Sequence, residues 1–320
     1  MMQILLIGIG AGAASGLLFA SVASGSMLSV ILFYLAPLPI FIAAIGWSHW
    51  SALVAAAAAA TGLATVFGGY FFIAFLIGVG LPSWWLGYLA LLARPSMSGD
   101  MEWYPAGRLV VWSAILGALI VIAAIPSFGS DEESYQAGLG AAFERLLGTQ
   151  TRMPSDASLD MAGFDRKRLI DFLVVVIPLA AAVIATVTNV FNLWLAARVV
   201  KISGRLRRPW PDLSAMDFPS WMPALLAAAI AGSFLASLAG TISGILAASL
   251  LMAYAILGFA VLHAITRMMS SRGLVLGSSY AAVFLFGWPV ALMTLLGLAD
   301  TAFDIRKRIA GRGPPAPRST

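Results

Sequence analysis

The polar residues best suited to binding chemistry are Thr186, Asn189 and Asn192, which lie with Thr188 in a charge-free, mainly apolar stretch. Their spacing of i, i+3 and i+6 places them on one face of a helix. Because an unpaired amide in hydrocarbon costs several kcal/mol, each side chain must meet another helix, a water or a ligand. Two interpretations stay open: hydrogen bonding between helices, and hydrogen bonding to a bound solute.

Two helix-breaking motifs are candidates for the same site. The first is the Pro-Leu-Pro sequence at 37–39, and the second is the Gly-Val-Gly-Leu-Pro sequence at 78–82. A proline removes a backbone donor and clashes with the carbonyl one turn earlier, so freed carbonyls need partners or a cavity. Interrupted helices line binding sites in transporters, whereas kinks repaired by neighbouring helices are the alternative. The residues predicted to bind a ligand are Pro37, Pro39, Gly80, Trp84, Thr186, Asn189 and Asn192.

Composition excludes several kinds of chemistry. The chain has no cysteine, which excludes disulfides, thiolate nucleophiles, cysteine-ligated zinc and iron–sulfur clusters. None of its three lysines lies in a phosphate-binding glycine loop. His263 shares a helix face with Arg267 and has no acidic partner in the neighbouring apolar stretches, so a hydrogen-bonded histidine is favoured over a proton relay. We expect no enzyme activity, no cofactor and no metal.

The elements that position these residues are membrane helices. Of 320 residues, 61% are hydrophobic and 10% are charged, against roughly 25% charged in ordinary soluble domains. Charge-free windows cover residues 1–93, 109–130, 172–197, 218–266 and 273–299. A crossing needs about 20 apolar residues, and the windows therefore predict an all-α polytopic bundle of eight or nine transmembrane helices. The predicted spans are 4–23, 27–46, 51–67, 70–93, 108–127, 169–197, 221–239, 243–266 and 274–299, of which the second and fourth are interrupted.

The spans group into four regions. Residues 1–200 form a six-span bundle, which includes an extracytoplasmic segment at 128–168 that carries a short amphipathic helix. Residues 201–220 form a basic cytoplasmic connector, residues 221–300 form the C-terminal membrane helices, and residues 301–320 form a basic, partly disordered tail.

Charge placement predicts an orientation in a bacterial inner membrane. The net charge of +5 comes from short basic stretches beside the spans, which is typical of cytoplasmic loops and not of nucleic-acid binding. The positive-inside rule then places the N-terminus in the cytoplasm. A ninth crossing would put the basic tail, from Arg306 to Arg312, outside. Because that placement violates the rule, a re-entrant segment and eight crossings stay open as the alternative.

The first span carries a helix-docking face of three glycines. Gly8, Gly12 and Gly16 recur every four residues, which allows another helix to approach the backbone closely. The partners predicted from these features are the lipid bilayer and a second membrane subunit docked on the first helix. The alternative is that glycine is simply common in membrane helices.

Three stretches of the chain carry a family resemblance. They are Leu-Ala-Pro-Leu-Pro-Ile-Phe at 35–41 with Trp-Ser-His at 47–49, the proline-aromatic connector from Trp210 to Trp221, and the ending at 296–308. Together they resemble the YybS-like family of uncharacterised bacterial polytopic membrane proteins, a domain-of-unknown-function family.

In its first six spans that family is similar to the substrate-binding components of energy-coupling-factor transporters. The resemblance implies docking on a coupling subunit through small residues of the first helix, a role assigned to Gly8, Gly12 and Gly16, and energy from partner ATPases. In this chain glycines replace the usual alanines, and the C-terminal spans have no counterpart in those components.

These observations lead to two hypotheses about function. The first is a solute-binding or transport component that depends on a partner for energy. The alternative is a non-catalytic interaction or assembly protein that uses the glycine face and the basic loops for docking.

Overall fold

The computed structural model describes residues 1–97, 100–150 and 166–310. Within those residues, seven helices are long and apolar enough to cross a membrane. They are Met2–Ser24, Met27–Gly46, His49–Phe67, Gly69–Ala90, Ala106–Ser127, Arg166–Ile202 and Leu238–Ile265. Three shorter apolar helices follow the basic connector. The predicted all-α membrane bundle is therefore confirmed.

The N-terminal half contains both predicted interruptions. Its helices are α1 (Met2–Ala20), α2 (Met27–Tyr34), α3 (Pro37–Gly46), α4 (His49–Phe67), α5 (Gly69–Phe75) and α6 (Leu81–Ala90). The second span breaks between α2 and α3, with Pro37 at the start of α3, where a missing N–H does no harm. The fourth span widens into a π-helical turn at Leu76–Gly80. Such turns insert one residue into a helix and are frequent at functional sites.

The remaining elements surround one long helix, α9. They are β1 (Ala93–Pro95), β2 (Met101–Trp103), α7 (Ala106–Ile122), α8 (Glu132–Gln150), α9 (Arg166–Ile202), α10 (Met222–Gly232), α11 (Leu238–Ile265), α12 (Arg272–Phe286), α13 (Val290–Phe303) and α14 (Ile305–Ala310). β1 and β2 pair as a short antiparallel hairpin between α6 and α7. α9 packs against α3, α7 and α11, and it thereby joins the two halves of the bundle.

Two contacts define the opposite ends of the bundle. At the connector end, Arg267, just after α11, lies 3.7 Å from the Asp212 carboxylate. At the α8 end, the Thr241 hydroxyl near the start of α11 donates to the Glu132 carboxylate. The predicted extramembrane helix is α8, whose Leu139 is buried against α9 and neighbouring helices. Of the predicted 128–168 segment, residues 151–165 lie outside the described residues.

The chain passes between these two ends in alternation. α10 is short because the connector already reaches into the bundle, where the Phe218 ring contacts the Tyr254 ring of α11 at 5.3 Å. At the far end of α10, Gly232 lies against Ser243, close to the start of α11. α10 itself has only 11 residues, so this pass includes the connector residues that lead into it. Together with the seven candidate spans, it gives eight passes between the two ends among the described residues, six of them in the N-terminal half.

The predicted ninth span, 274–299, is not a single crossing. It divides at Gly287, which has a φ of +70°, and at Pro289, which precedes α13. α12 and α13 have 15 and 14 residues, so each is only about 20 Å long, too short to cross the roughly 30 Å hydrocarbon core. The two helices form a re-entrant hairpin, which agrees with the re-entrant alternative.

Arg306 fixes the return of this hairpin to the connector end. Its guanidinium lies 2.7 Å from both the Asp300 and the Asp217 carboxylates. It also donates to the carbonyls of Ser214 and Met216 in the connector. The basic residues after α13 therefore lie at the same end as the connector. Of the predicted tail, residues 311–320 lie outside the described residues.

Candidate functional site

Asn192 and Ser15 repair the break in the second span. The Asn192 amide donates from Nδ2 to the Tyr34 carbonyl at 2.9 Å and to the Thr188 carbonyl at 2.8 Å. The Ser15 hydroxyl of α1 donates to the Ala36 carbonyl. The backbone acceptors beside Pro37 thus have partners on two neighbouring helices. For Asn192 the structure agrees with hydrogen bonding between helices, the first of the two interpretations.

The other predicted ligand residues are packed inside the bundle. The Thr186 hydroxyl donates to the Ala182 carbonyl of its own helix, beside Gly117 of α7. Gly80 is buried against Ala56 of α4. The Trp84 ring stacks on the Tyr88 ring with centroids 6.3 Å apart. Pro37 is buried and Pro39 is partly buried at the start of α3.

Some polar atoms of this interior have no hydrogen-bond partner among the described residues. They include Nδ2 of Asn189, which is 3% exposed, Oδ1 of Asn192 and Nε1 of Trp84. None of the seven predicted ligand residues lines the large groove described next. Their role in binding a ligand stays a prediction.

A groove at the connector end has a volume of about 1000 Å³. Its walls are one face of α7, one face of α9 and one face of α11, and the connector and α12 lie along its rim. On α11 the lining residues follow helical spacing from Met252 through Ile256, Phe259 and His263 to Arg267. This groove is the candidate functional site.

The rim of the groove carries most of its charge. Among the described lining residues, three arginines, Arg208, Arg267 and Arg272, face one acidic residue, Asp212. The hydroxyl and the backbone N–H of Ser214 donate to Asp212 and, together with the more distant Arg267, hold the pKa of that carboxyl below its ordinary value. Asp212 is therefore ionised at neutral pH, and the rim has a net positive charge.

Arg208 is the most shielded of these cations. Burial lowers the pKa of its guanidinium, which nevertheless stays charged. Its Nη1 lies 3.4 Å from the Ala90 carbonyl at the end of α6, which is a long hydrogen bond. A half-buried cation with one weak neutral acceptor among the described residues has unused capacity to bind an anion.

Aromatic side chains position the rest of the rim. The His263 ring and the Tyr280 hydroxyl are 2.9 Å apart, which ties α12 to α11. The Phe259 ring stacks on the Tyr280 ring with centroids 4.9 Å apart. In the connector, the Lys201 ammonium lies over the Trp210 ring, 4.8 Å from the ring centroid, in a cation–π contact. These contacts hold both sides of the groove in place.

Sequence reasoning did not identify the groove residues as a site. One signal was present, because His263 and Arg267 share a helix face and the connector is rich in arginine and tryptophan. What the sequence does not contain is the position of α12, which folds back and brings Tyr280 and Arg272 to the groove.

The glycine face of α1 does dock a helix, and that helix is α4 of the same chain. A Cβ on Gly8 would lie 2.6 Å from the Val54 side chain, and one on Gly12 would lie 2.6 Å from the Ala55 carbonyl oxygen. Gly16 faces Ala59 at van der Waals distance. α4 thus covers this face within the chain, and docking of a second subunit on the first helix stays a prediction.

Comparisons with known proteins agree with this architecture. The family model described as "Predicted membrane protein (DUF2232)" matches residues 13–301, which is most of the chain. No curated protein and no solved structure matches the chain. The match covers both the interrupted N-terminal spans and the C-terminal hairpin. The chain therefore belongs to the DUF2232 family of predicted membrane proteins.

Proposed function

We propose that this protein is a membrane-embedded binding component for a hydrophobic small molecule, with the groove at the connector end as its site. The observation that carries the proposal is a groove of about 1000 Å³ with a mainly apolar wall and a charged rim. Ligand sites of a few hundred to a thousand Å³ with few polar groups are typical of small-molecule binding.

The shape of the groove supports a membrane-derived ligand over a fully water-soluble one. Its apolar wall includes Val187, Val190 and Phe191 from α9 with Met252 and Ile256 from α11. The arginines lie at the rim only. An elongated, mostly apolar molecule would fill the wall and leave its polar end among the arginines.

The role in transport is a further part of the proposal. The resemblance to the substrate-binding components of energy-coupling-factor transporters supports a solute-binding subunit that takes its energy from a partner. An N-terminus on the cytoplasmic side of a bacterial inner membrane would put the opening of the groove at the cytoplasmic face. The residues of the groove offer binding groups, and we propose no catalytic step for them.

The test is thermal unfolding of the detergent-purified protein with vitamins, nucleobases and lipid-like amphiphiles. Val187→Trp fills the groove, and Ile184→Trp is its control on an exposed part of the same helix away from the groove. We expect a stabilising ligand whose effect is lost in Val187→Trp and kept in Ile184→Trp. A ligand that stabilises both variants equally, or no stabilising ligand at all, would contradict the proposal.

A further inference from the structure

The groove separates charge from hydrocarbon along its length. Arg208, Arg267 and Arg272 lie at the connector end, and the α11 wall continues to Met252, fifteen residues before Arg267. At the helical rise this wall is about 20 Å long. A ligand that satisfies both parts has an anionic group at one end and a long apolar chain.

The arginines of the groove suit an anionic oxygen group such as a phosphate. A guanidinium donates through a planar fork that fits the oxygens of phosphate and carboxylate. Arg267 is already engaged by Asp212 at 3.7 Å, which leaves Arg208 and Arg272 as the two cations for the ligand. A phosphate oxyanion has enough acceptors for both.

Two tryptophans of the groove indicate how deep in the bilayer its arginine end lies. Trp194 of α9 and Trp210, two residues after Arg208, line the groove, and tryptophan prefers the headgroup level of a bilayer. The arginines therefore lie where lipid phosphates lie, and the apolar wall lies where acyl chains lie.

We propose that the groove binds an anionic phospholipid of the leaflet at the connector end, with its phosphate between Arg208 and Arg272 and its acyl chain along α9 and α11. This inference rests on the proposed function and names the class of molecule that the site takes. A free phosphate ion lacks the chain, and a zwitterionic lipid adds a cationic group that the arginines repel, so both bind more weakly.

The experiment measures thermal stabilisation and apparent affinity for three probes. They are phosphatidylglycerol in mixed micelles, phosphatidylcholine in the same micelles, and inorganic phosphate. The test variant is R208Q/R272Q, and the matched control is Arg207→Gln, the neighbouring connector arginine that does not line the groove. We expect phosphatidylglycerol to bind at least about tenfold more tightly than either other probe, and the double variant to lose that preference. Arg207→Gln keeps the preference.

Failure of this inference can be told apart from failure of the proposed function. Equal binding of both lipids that Val187→Trp abolishes would overturn the anionic class and leave a groove that binds hydrophobic molecules. Inorganic phosphate binding as tightly as phosphatidylglycerol would overturn the role of the chain. Lipid binding that Val187→Trp leaves unchanged would overturn both proposals. The unliganded melting temperature of each variant, compared with wild type, controls for loss of folding.

Discussion

At the scale of single residues, two neighbouring amides provide a matched test of the repair of the broken span. Asn192 donates to the Tyr34 carbonyl, whereas Nδ2 of Asn189 has no partner among the described residues. We expect Asn192→Ala to lower the free energy of unfolding by about 1–2 kcal/mol because it leaves the Tyr34 carbonyl at the helix break without this partner. Asn189→Ala should change it by less. Thermal or denaturant unfolding in detergent provides the measurement, and equal losses would contradict the assignment.

Arg306 makes the second prediction at this scale. Its side chain is 13% exposed and pairs with Asp300, which is 5% exposed. Removing one partner of a buried pair leaves an uncompensated charge, so Arg306→Ala should cost about 3–5 kcal/mol of unfolding free energy. Lys307→Ala removes an exposed pair with Asp304 and should leave stability nearly unchanged. Similar melting temperatures for the two variants would show that Arg306 does not hold the hairpin.

Single residues also show which contacts could be predicted from the sequence and which could not. Helical periodicity was enough to predict that Thr186, Asn189 and Asn192 share a buried face, because that spacing is local. It could not identify Tyr34 as the acceptor for Asn192, since the two residues are 158 positions apart. Contacts between distant segments depend on how the helices pack.

At the scale of helices, the packing of α1 on α4 makes a sharp prediction. A side chain at Gly12 would meet the Ala55 carbonyl, whereas one at Gly10 would meet nothing within 4 Å. Gly12→Leu must push the two helices apart, and we expect a loss of about 1–3 kcal/mol from overpacking. Gly10→Leu points away from α4 and is the control. Unfolding measurements that rank Gly10→Leu as the more harmful variant would refute this packing.

The two helix breaks and the C-terminal hairpin differ in how well they could be predicted. Proline acts on its own backbone, so the interruption at Pro37 follows from local chemistry. The 27 charge-free residues at 273–299 suit either one crossing or two short helices. What decides between them is the contact of Arg306 with Asp217 and the packing of Gly258 and Gly297 between α11 and α13, and neither is visible in hydropathy.

At the scale of the whole molecule, eight passes and a re-entrant hairpin predict which positions share a side of the membrane. Because the chain has no cysteine, single cysteines can report this without background. Ser203→Cys in the connector and Lys307→Cys after α13 should react with a membrane-impermeant maleimide from the same side. Ser130→Cys, near α8, should react from the opposite side. Labelling of positions 203 and 307 from different sides would restore a ninth crossing.

The whole molecule also explains why the binding site differs from the one that the sequence predicted. The broken helices place their polar groups inside the bundle, where Asn192 and Ser15 pair with the freed carbonyls. The groove instead forms between faces of α7, α9 and α11 beside the connector. Its existence depends on how these helices pack and on the folding back of α12, which are properties of the assembled bundle.

The central claim is that the groove holds a bound amphiphile. Native mass spectrometry of the protein extracted from membranes tests this claim most directly. We expect the wild-type protein to retain one phosphate-bearing lipid at activation energies that strip the surrounding detergent. Val187→Trp should lose that lipid, and Ile184→Trp should keep it. The same lipid retained by Val187→Trp, or no lipid retained by the wild type, would contradict the claim.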